Sequence, residues 1–214
     1  MKTVYFVRHG ESEGNASTIW QDKNSPLTEK GRAQATMLAE RIATLPIEVI
    51  ISSTMIRAHQ TADILKEKID VPVEYSELFV ERRRPKEQIG HSQDNPGAIL
   101  SGKEVWKNFT LSGYRFSDEE NFDDLNTRAR NALQHLGAMH EEHILVVTHG
   151  MFLRVLVARA MMGETLTAET MLRFMERFIT SNAGMTVMTD DAFTHNNKKD
   201  PWRLLLWNDH THLG

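Results

Sequence analysis

Short, almost wholly apolar runs alternate with helical patterns along this chain, and this alternation limits the possible fold more than any other feature. Thr28 is a good helix N-cap, and apolar residues follow helical spacing from there to Thr44. Similar patterns run from about Met55 to Lys68 and from Met151 to Met162. Because strands without polar alternation are buried on both faces, we predict an α/β fold whose mostly parallel sheet is covered by helices. The predicted strands are Thr3–Val7, Ile47–Ile51, Val71–Tyr75, Ile144–Val147, Arg177–Ser181, Met185–Thr189 and Trp202–Trp207.

Composition excludes several classes of protein. The 214 residues suit one domain, 1–214, and the net charge of −4 is mixed along the chain, so we expect no nucleic-acid partner. The absence of cysteine excludes disulfides and thiolate metal sites. The most apolar region, Ile144–Met162, is broken by His149, Arg154 and Arg159, so we expect no membrane span and no membrane partner. The first strand begins by Thr3, which leaves no room for a signal peptide and favours a cytoplasmic protein.

The segment at about 82–122 loses the regular periodicity. It contains glycines and prolines together with aromatic residues, among them Trp106, Phe109 and Phe122. A structureless loop of that length is unusual in a compact domain, and its aromatic residues imply that it packs against something. We therefore predict an inserted cap segment here, not a second domain.

Two of the predicted strands end in the same way. VYFV runs into RHG, and LVV runs into THG, so His9 and His149 each stand between a strand and a glycine. Ligands bind beyond the carboxyl ends of parallel strands, and the two histidines are therefore expected to face one pocket. The alternative is that each is an ordinary buried histidine satisfied by the backbone. No metal is predicted, because the histidines and carboxylates do not follow zinc-site spacing.

A phosphoryl group suits two such histidines. One neutral imidazole can attack phosphorus, and a second, protonated imidazole can bind a phosphoryl oxygen together with arginines. Arg8 supplies one guanidinium, and Arg57, at or near the start of the helix after the second strand, supplies another. Glu81, just after the third strand, is the candidate that protonates the leaving group, with Glu77 as its rival.

Five motifs in order resemble the histidine phosphatase superfamily, in its phosphoglycerate-mutase-like branch: RHGESEGN, LTEKGRAQA, SSTMIRAHQTA, Glu81 and VVTHG. The resemblance implies a three-layer α/β/α sandwich and transient phosphorylation of His9. It implies that Arg8, Arg57, His149 and also Asn15 bind the phosphoryl group, and that Glu81 is the proton donor. It implies no metal and no organic cofactor.

The run after Glu81 departs from the family pattern. Phosphoglycerate mutases have a basic-tyrosine-glycine pattern there, whereas this chain has three arginines, of which Arg82 and Arg83 are candidates for substrate specificity. We expect at least one of the three to reach a second anionic group on the substrate. The leading hypothesis is a metal-independent phosphatase for small phosphomonoesters, or for a phosphoprotein. A phosphoglycerate-type mutase and a non-catalytic phosphate-recognition or scaffold protein are the alternatives; the oligomeric state stays open.

Overall fold

The computed structural model describes residues 1–190 and 202–214, which are organised around one sheet. Its strands within these residues are β1 (Lys2–Arg8), β2 (Val49–Ser52), β3 (Val73–Tyr75), β4 (His143–Thr148), β5 (Met185–Asp190) and β6 (Trp202–Asp209). Their order is β3-β2-β4-β1-β5-β6. The first four strands in this order run parallel to one another, and β5 is antiparallel to both β1 and β6. The prediction of a mostly parallel sheet is confirmed.

Helices cover both faces of the sheet. They are α1 (Glu13–Ala16), α2 (Glu29–Ile42), α3 (Ile56–Ile69), α4 (Pro96–Lys107), α5 (Phe122–Ala138), α6 (Gly150–Met162) and α7 (Ala168–Arg177). Val4 and Phe6 of β1 pack with residues of α5, α6 and α7, whereas Tyr5 and Val7 pack with residues of α2 and α3. Successive strand residues point to opposite faces, so the sheet is buried on both sides and the α/β/α sandwich is confirmed. Among the described residues, no helix combines the length and apolar character needed to cross a bilayer.

The segment 82–122 contains a helix that its sequence did not predict. The Asn95 side chain caps α4 by accepting a hydrogen bond from Ala98 N at 3.0 Å, and proline follows the cap at the first helical position. Three backbone hydrogen bonds join the segment to the loop before α2: Trp20 N donates to His91 O, Gly90 N donates to Trp20 O, and Gln93 N donates to Thr18 O. Its interpretation as a cap stays a prediction.

The predicted strand Arg177–Ser181 is wrong. Helix α7 continues to Arg177, and no strand is found from there to the start of β5. The Phe178 ring stacks on Phe174, and Ala183 turns the chain with a positive φ of 55°. Phe178 therefore packs on the end of α7 while Ile179 is exposed, and local propensity cannot distinguish such a loop from a strand.

Candidate active site

Strand register brings the two predicted histidines together. Arg8 pairs with Thr148 at the end of β1 and β4, so His9 and His149 leave the sheet side by side. The His9 N–H donates to the Thr148 carbonyl at 3.0 Å and extends the pairing by one residue. The two ring centroids lie 4.9 Å apart, and both side chains are buried.

The turn after β1 is held by the start of α2. Thr28 Oγ1 donates to Glu11 Oε1 at 3.0 Å, and Glu11 N donates to Gln34 Oε1 at 2.8 Å. The backbones meet so closely that a Cβ on Gly31 would lie 1.9 Å from Glu11 O, and one on Gly10 would lie 2.3 Å from Gly31 O. The motif LTEKGRAQA therefore acts on the site indirectly, because it fixes the turn that carries His9.

The hydrogen bonds of His9 determine which ring nitrogen is free. Nδ1 lies 2.7 Å from the Gly10 carbonyl, which can only accept, so Nδ1 carries the proton and Nε2 keeps its electron pair. Arg57 Nε donates to this Nε2 at 3.2 Å. Burial, followed by the neighbouring His149 ring and the positive charges of Arg57 and Arg8, lowers the pKa of His9 well below its ordinary value. The ring is therefore a neutral imidazole whose free nitrogen lies beside a cation.

His149 is also a neutral ring. Its Nε2 lies 2.8 Å from Ser53 Oγ, which accepts a hydrogen bond from Met55 N and can either donate to this ring nitrogen or accept from it. Its Nδ1 is buried and has no partner among the described residues, so a proton on that nitrogen is free to bind a ligand. Burial, then Arg57 and Arg8, lowers the pKa of His149 well below its ordinary value. The protonated ring that we predicted is thus disfavoured until negative charge lies nearby.

Arg57 and Arg8 reach the same place from two neighbouring elements. Arg57 is the second residue of α3, is 2% exposed, and donates from Nη1 to the Asp22 carbonyl at 3.1 Å. Burial outweighs the attraction of Glu81 and lowers the pKa of Arg57 to about 10, so the group stays charged at neutral pH. Arg8 ends β1 and donates from Nη1 to the Thr180 carbonyl at 2.6 Å. Its Nε is buried and unpartnered among the described residues.

Asn15 lies in the short helix α1 and lines the same cleft. Its Oδ1 accepts from Ser12 Oγ at 3.0 Å and from Asn182 Nδ2 at 3.2 Å, and its side-chain NH2 group donates no hydrogen bond within the described part of the chain. Asn182 also donates to the His9 carbonyl at 3.0 Å. Sequence reasoning missed Asn182 because its loop carries no motif and lies far from His9 along the chain.

Glu81 sits at the start of α6. Its Oε1 accepts from Phe152 N at 3.0 Å and from Arg82 N at 2.8 Å, and its Oε2 accepts from Met151 N at 3.1 Å. A helix N-terminus favours a carboxylate, so this position is fixed by α6 itself. The rival Glu77 also lines the cleft, but it is exposed and accepts from Thr54 Oγ1 at 2.6 Å.

The surroundings of Glu81 favour its ionised form. Burial would raise the pKa of Glu81, but the backbone N–H groups of Arg82 and Met151 and the charges of Arg57 and Arg84 outweigh it and lower the pKa below its ordinary value. The cations responsible are Arg84, three residues further along the chain, and Arg57 on helix α3. A proton donor of this kind needs added negative charge to hold its proton.

A cleft of about 930 Å³ opens over these residues. His149 is fully buried beneath it, whereas the other predicted site residues line it. Among the described residues, nine arginine and lysine side chains and five carboxylates line the cleft, although the whole chain carries a net charge of −4. The described residues include no group of three or more His, Asp or Glu arranged to hold a metal ion. The cleft therefore concentrates positive charge where an anion would enter.

The arginines after Glu81 take three different positions. Arg82 is 5% exposed and lies 4.9 Å over the Trp106 ring, and Arg84 lies 4.2 Å over the Trp20 ring. Arg83 is exposed and donates from Nε to the Asp118 carbonyl. We singled out Arg82 and Arg83 as specificity residues, and that assignment stays a prediction. The place of Arg84 could not be predicted, because its aromatic partner lies in a distant loop.

Comparison with known proteins identifies the family. The model of the histidine phosphatase superfamily (branch 1) matches residues 4–210. The chain belongs to the histidine phosphatase superfamily. A relative from Photorhabdus laumondii, named as probable phosphoglycerate mutase GpmB, is 35% identical over 179 residues, covering 81% of this chain and 80% of the relative. An Escherichia coli relative with the same name is 32% identical with the same coverage. These relatives confirm the resemblance to the phosphoglycerate-mutase-like branch.

Solved structures of the superfamily share the fold. YhfR of Bacillus stearothermophilus superposes with a TM-score of 0.83 at 26% identity and covers all of both chains. The mycobacterial glucosyl-3-phosphoglycerate phosphatase in complex with VO3 gives a TM-score of 0.75 at 23% identity, covering 97% of this chain and 99% of that one. The alpha-ribazole phosphatase of Shigella flexneri gives 0.79 at 21% identity, covering 97% and 96%. The superfamily fold therefore extends over nearly the whole chain.

Proposed function

We propose that this protein hydrolyses phosphomonoesters through a phosphohistidine on His9. The observation that carries the proposal is the state of His9. Its Nδ1 donates to the Gly10 carbonyl, and its Nε2 keeps an electron pair beside the Arg57 guanidinium. A nucleophile needs that free pair, and an adjacent cation attracts the phosphoryl group to it.

The first step transfers the phosphoryl group to the enzyme. Arg8, Arg57, Asn15 and the Nδ1–H of His149 bind its oxygens, and His9 Nε2 attacks phosphorus. The new P–N bond forms as the ester P–O bond breaks. The departing oxygen takes a proton from the carboxyl group of Glu81, so that an alcohol leaves and not an alkoxide. Positioning and charge neutralisation supply most of the rate increase in such a transfer.

The second step regenerates the enzyme. Glu81, now a carboxylate, takes a proton from a water molecule, whose oxygen attacks the phosphohistidine phosphorus. The P–N bond breaks, its electron pair returns to His9 Nε2, and inorganic phosphate leaves. Glu81 thus ends each cycle protonated. The charge of the bound phosphate raises the pKa of Glu81 and offsets the cations that lower it.

Neither reaction step uses a metal or an organic cofactor, and metal independence is part of the proposal. The cleft of about 930 Å³ suits a small phosphorylated substrate, with the segment at about 82–122 acting as its cap. A mutase is the second candidate, because curated relatives at 32–35% identity are named as probable phosphoglycerate mutases. A mutase would use the same phosphohistidine but return the phosphoryl group to another hydroxyl.

Trapping of the intermediate tests the proposal. Purified protein is mixed with a phosphomonoester that carries radioactive phosphate, denatured in alkali, and digested to locate the label. We expect acid-labile label on His9 in the wild type and none in His9→Ala, with turnover lost. His59→Ala, a change at a half-exposed histidine stacked on Tyr75, serves as the matched control and is expected to keep both.

The products separate the candidates. Release of one inorganic phosphate for each substrate consumed supports the phosphatase, and a shifted phosphate ester without release supports the mutase. If no phosphomonoester gives either label on His9 or turnover, both the phosphatase and the mutase are overturned, and a non-catalytic phosphate-recognition protein is favoured. Undiminished turnover in His9→Ala would also refute the assignment.

A further inference from the structure

One guanidinium group, that of Arg128 on α5, contacts three parts of the structure around the proton donor. Its Nε and Nη2 donate to the two carboxylate oxygens of Glu120 at 2.8 and 2.9 Å. Its Nη1 donates to the Leu78 carbonyl at 3.1 Å and to the Val80 carbonyl at 2.8 Å. Its central carbon lies 3.8 Å from the centre of the Phe152 ring. Because a guanidinium group has five N–H donors, these four hydrogen bonds leave little of it for a substrate.

The backbone that leads to Glu81 is held at three consecutive carbonyls. Residues 78–80 come directly before Glu81, and Arg128 binds the first and the last of their carbonyls. The middle one, of Phe79, accepts from Thr148 Oγ1 at 2.8 Å. A change in the direction of this stretch would break hydrogen bonds in a largely buried region, which is costly. Helix α5 and strand β4 therefore determine where the Glu81 side chain leaves the backbone.

The backbone after Glu81 is held by the partner of Arg128. Glu120 N donates to the Arg83 carbonyl at 3.1 Å, and Arg83 N donates to Glu120 Oε2 at 2.9 Å. The side chains of Glu120 and Arg128 are each only 13% exposed, and paired hydrogen bonds between charged groups are strong and fix the geometry. One member of the ion pair thus holds the chain before the proton donor, and the other holds the chain after it.

The same guanidinium group also packs against the helix that binds the carboxylate. Phe152 is fully buried on α6, and its ring lies against Arg128 while its backbone N–H donates to Glu81 Oε1 at 3.0 Å. Arg128 does not donate to Glu81 itself. It therefore sets the place of the loop that carries Glu81 relative to the helix start that receives its carboxylate.

We propose that Arg128 is a positioning residue for the proton donor Glu81. The proposal rests on the proposed function and extends it to a residue that touches neither the substrate nor the reacting atoms. A carboxyl group gives its proton to the leaving oxygen only at hydrogen-bond distance, so a shift of about 1 Å is enough to slow that step. Since Glu120 belongs to the segment at about 82–122, the ion pair also links this segment to proton transfer.

Leaving groups that differ in their need for a proton test the proposal. The variant is Arg128→Lys, which keeps a positive charge beside the cleft but cannot bind two carbonyls and both oxygens of Glu120. We expect kcat/KM for glycerol 3-phosphate, an alkyl phosphate, to fall about 10–100-fold, and that for 4-nitrophenyl phosphate, whose leaving anion is stable, less than about threefold. Arg130→Lys, the same change at an exposed position of α5, should leave both values unchanged.

Other roles of Arg128 give other results. An equal fall for the two substrates in Arg128→Lys would show a general structural role, and wild-type values for both would show that charge alone suffices; either overturns the proposal. Glu120→Gln weakens the ion pair without changing Arg128 and should lower the alkyl-to-aryl ratio of kcat/KM in the same direction. In Glu81→Gln the ratio should not fall further when Arg128→Lys is added, because the effect passes through Glu81. A further fall would overturn the proposal.

NMR titration separates this proposal from the proposed function. Met151 N donates to Glu81 Oε2, so the pH at which its amide signal titrates reports the pKa of Glu81. Displacement of the carboxylate weakens the hydrogen bonds that lower this pKa, and the midpoint should move to higher pH in Arg128→Lys but not in Arg130→Lys. That movement supports the positioning role even if His9 is never labelled. An unmoved midpoint in a protein whose His9 is labelled overturns the role of Arg128 and leaves the proposed function intact.

Discussion

Replacement of Glu81 by Gln separates its chemical role from its structural one. The change keeps the shape of the side chain but removes the proton that the leaving group needs. A general acid contributes a factor of roughly 10²–10⁴ in rate, so kcat/KM for an alkyl phosphate is expected to fall by about that factor. An aryl phosphate with a stable leaving anion does not need the proton for its first step, and its rate of enzyme phosphorylation is expected to fall far less.

The structure also sets the effect on stability. Glu81 accepts three backbone hydrogen bonds, and in Glu81→Gln the new NH2 group would face at least one N–H donor. Loss of that bond is expected to reduce the free energy of unfolding by about 1–3 kcal/mol. For a chain of this length the corresponding fall in Tm is roughly 2–12 °C.

Stopped-flow measurement of leaving-group release, together with thermal melting, checks both effects. The slope of log rate against leaving-group pKa should steepen in Glu81→Gln and stay unchanged in Glu77→Gln, the matched change at the rival carboxylate. The reasoning is refuted if Glu81→Gln slows alkyl and aryl phosphates equally while Glu77→Gln steepens the slope. That result would move the acid to Glu77.

Two further predictions concern stability. Because burial and nearby cations lower the pKa of His9 and His149, the unfolded chain binds protons below about pH 6.5 that the folded chain does not, and stability falls as the pH falls. Each histidine contributes up to about 1.4 kcal/mol per pH unit to the pH dependence of the free energy of unfolding. This free energy, measured by urea unfolding between about pH 6.5 and pH 5.5, should therefore change less with pH in His149→Gln than in the wild type. An unchanged pH dependence would contradict this. Gly31→Ala would place a Cβ 1.9 Å from Glu11 O and is expected to destabilise the fold by about 1–3 kcal/mol or more, whereas Gly137→Ala, with open space around its Cβ, should stabilise α5 by roughly 0.5–1 kcal/mol. Equal melting temperatures for the two variants would show that the contact between α2 and the His9 turn is not tight.

Sequence patterns predicted those parts of the fold that depend on local spacing. The apolar runs of β1 and β4 show up as strands because a buried parallel strand needs nearly continuous apolar residues. The histidine at the end of each run could be placed at one edge of the sheet for the same reason. The helix α4 was missed although its Asn-Pro start signal is present, because glycines and prolines around it hid the periodicity. The false strand at 177–181 has the opposite cause: β-branched and aromatic residues there lie in a loop that forms no ladder.

The sequence by itself determined the sheet, the approach of His9 to His149 and the family, since each follows from short-range periodicity and from motifs in order. Tertiary structure alone decided the free nitrogen of His9, the place of Glu81 at the start of α6, and the stacking of Arg84 on Trp20. These features depend on hydrogen bonds and ring contacts between residues far apart in the chain, or on the direction of a single carbonyl. Local propensity carries no information about either.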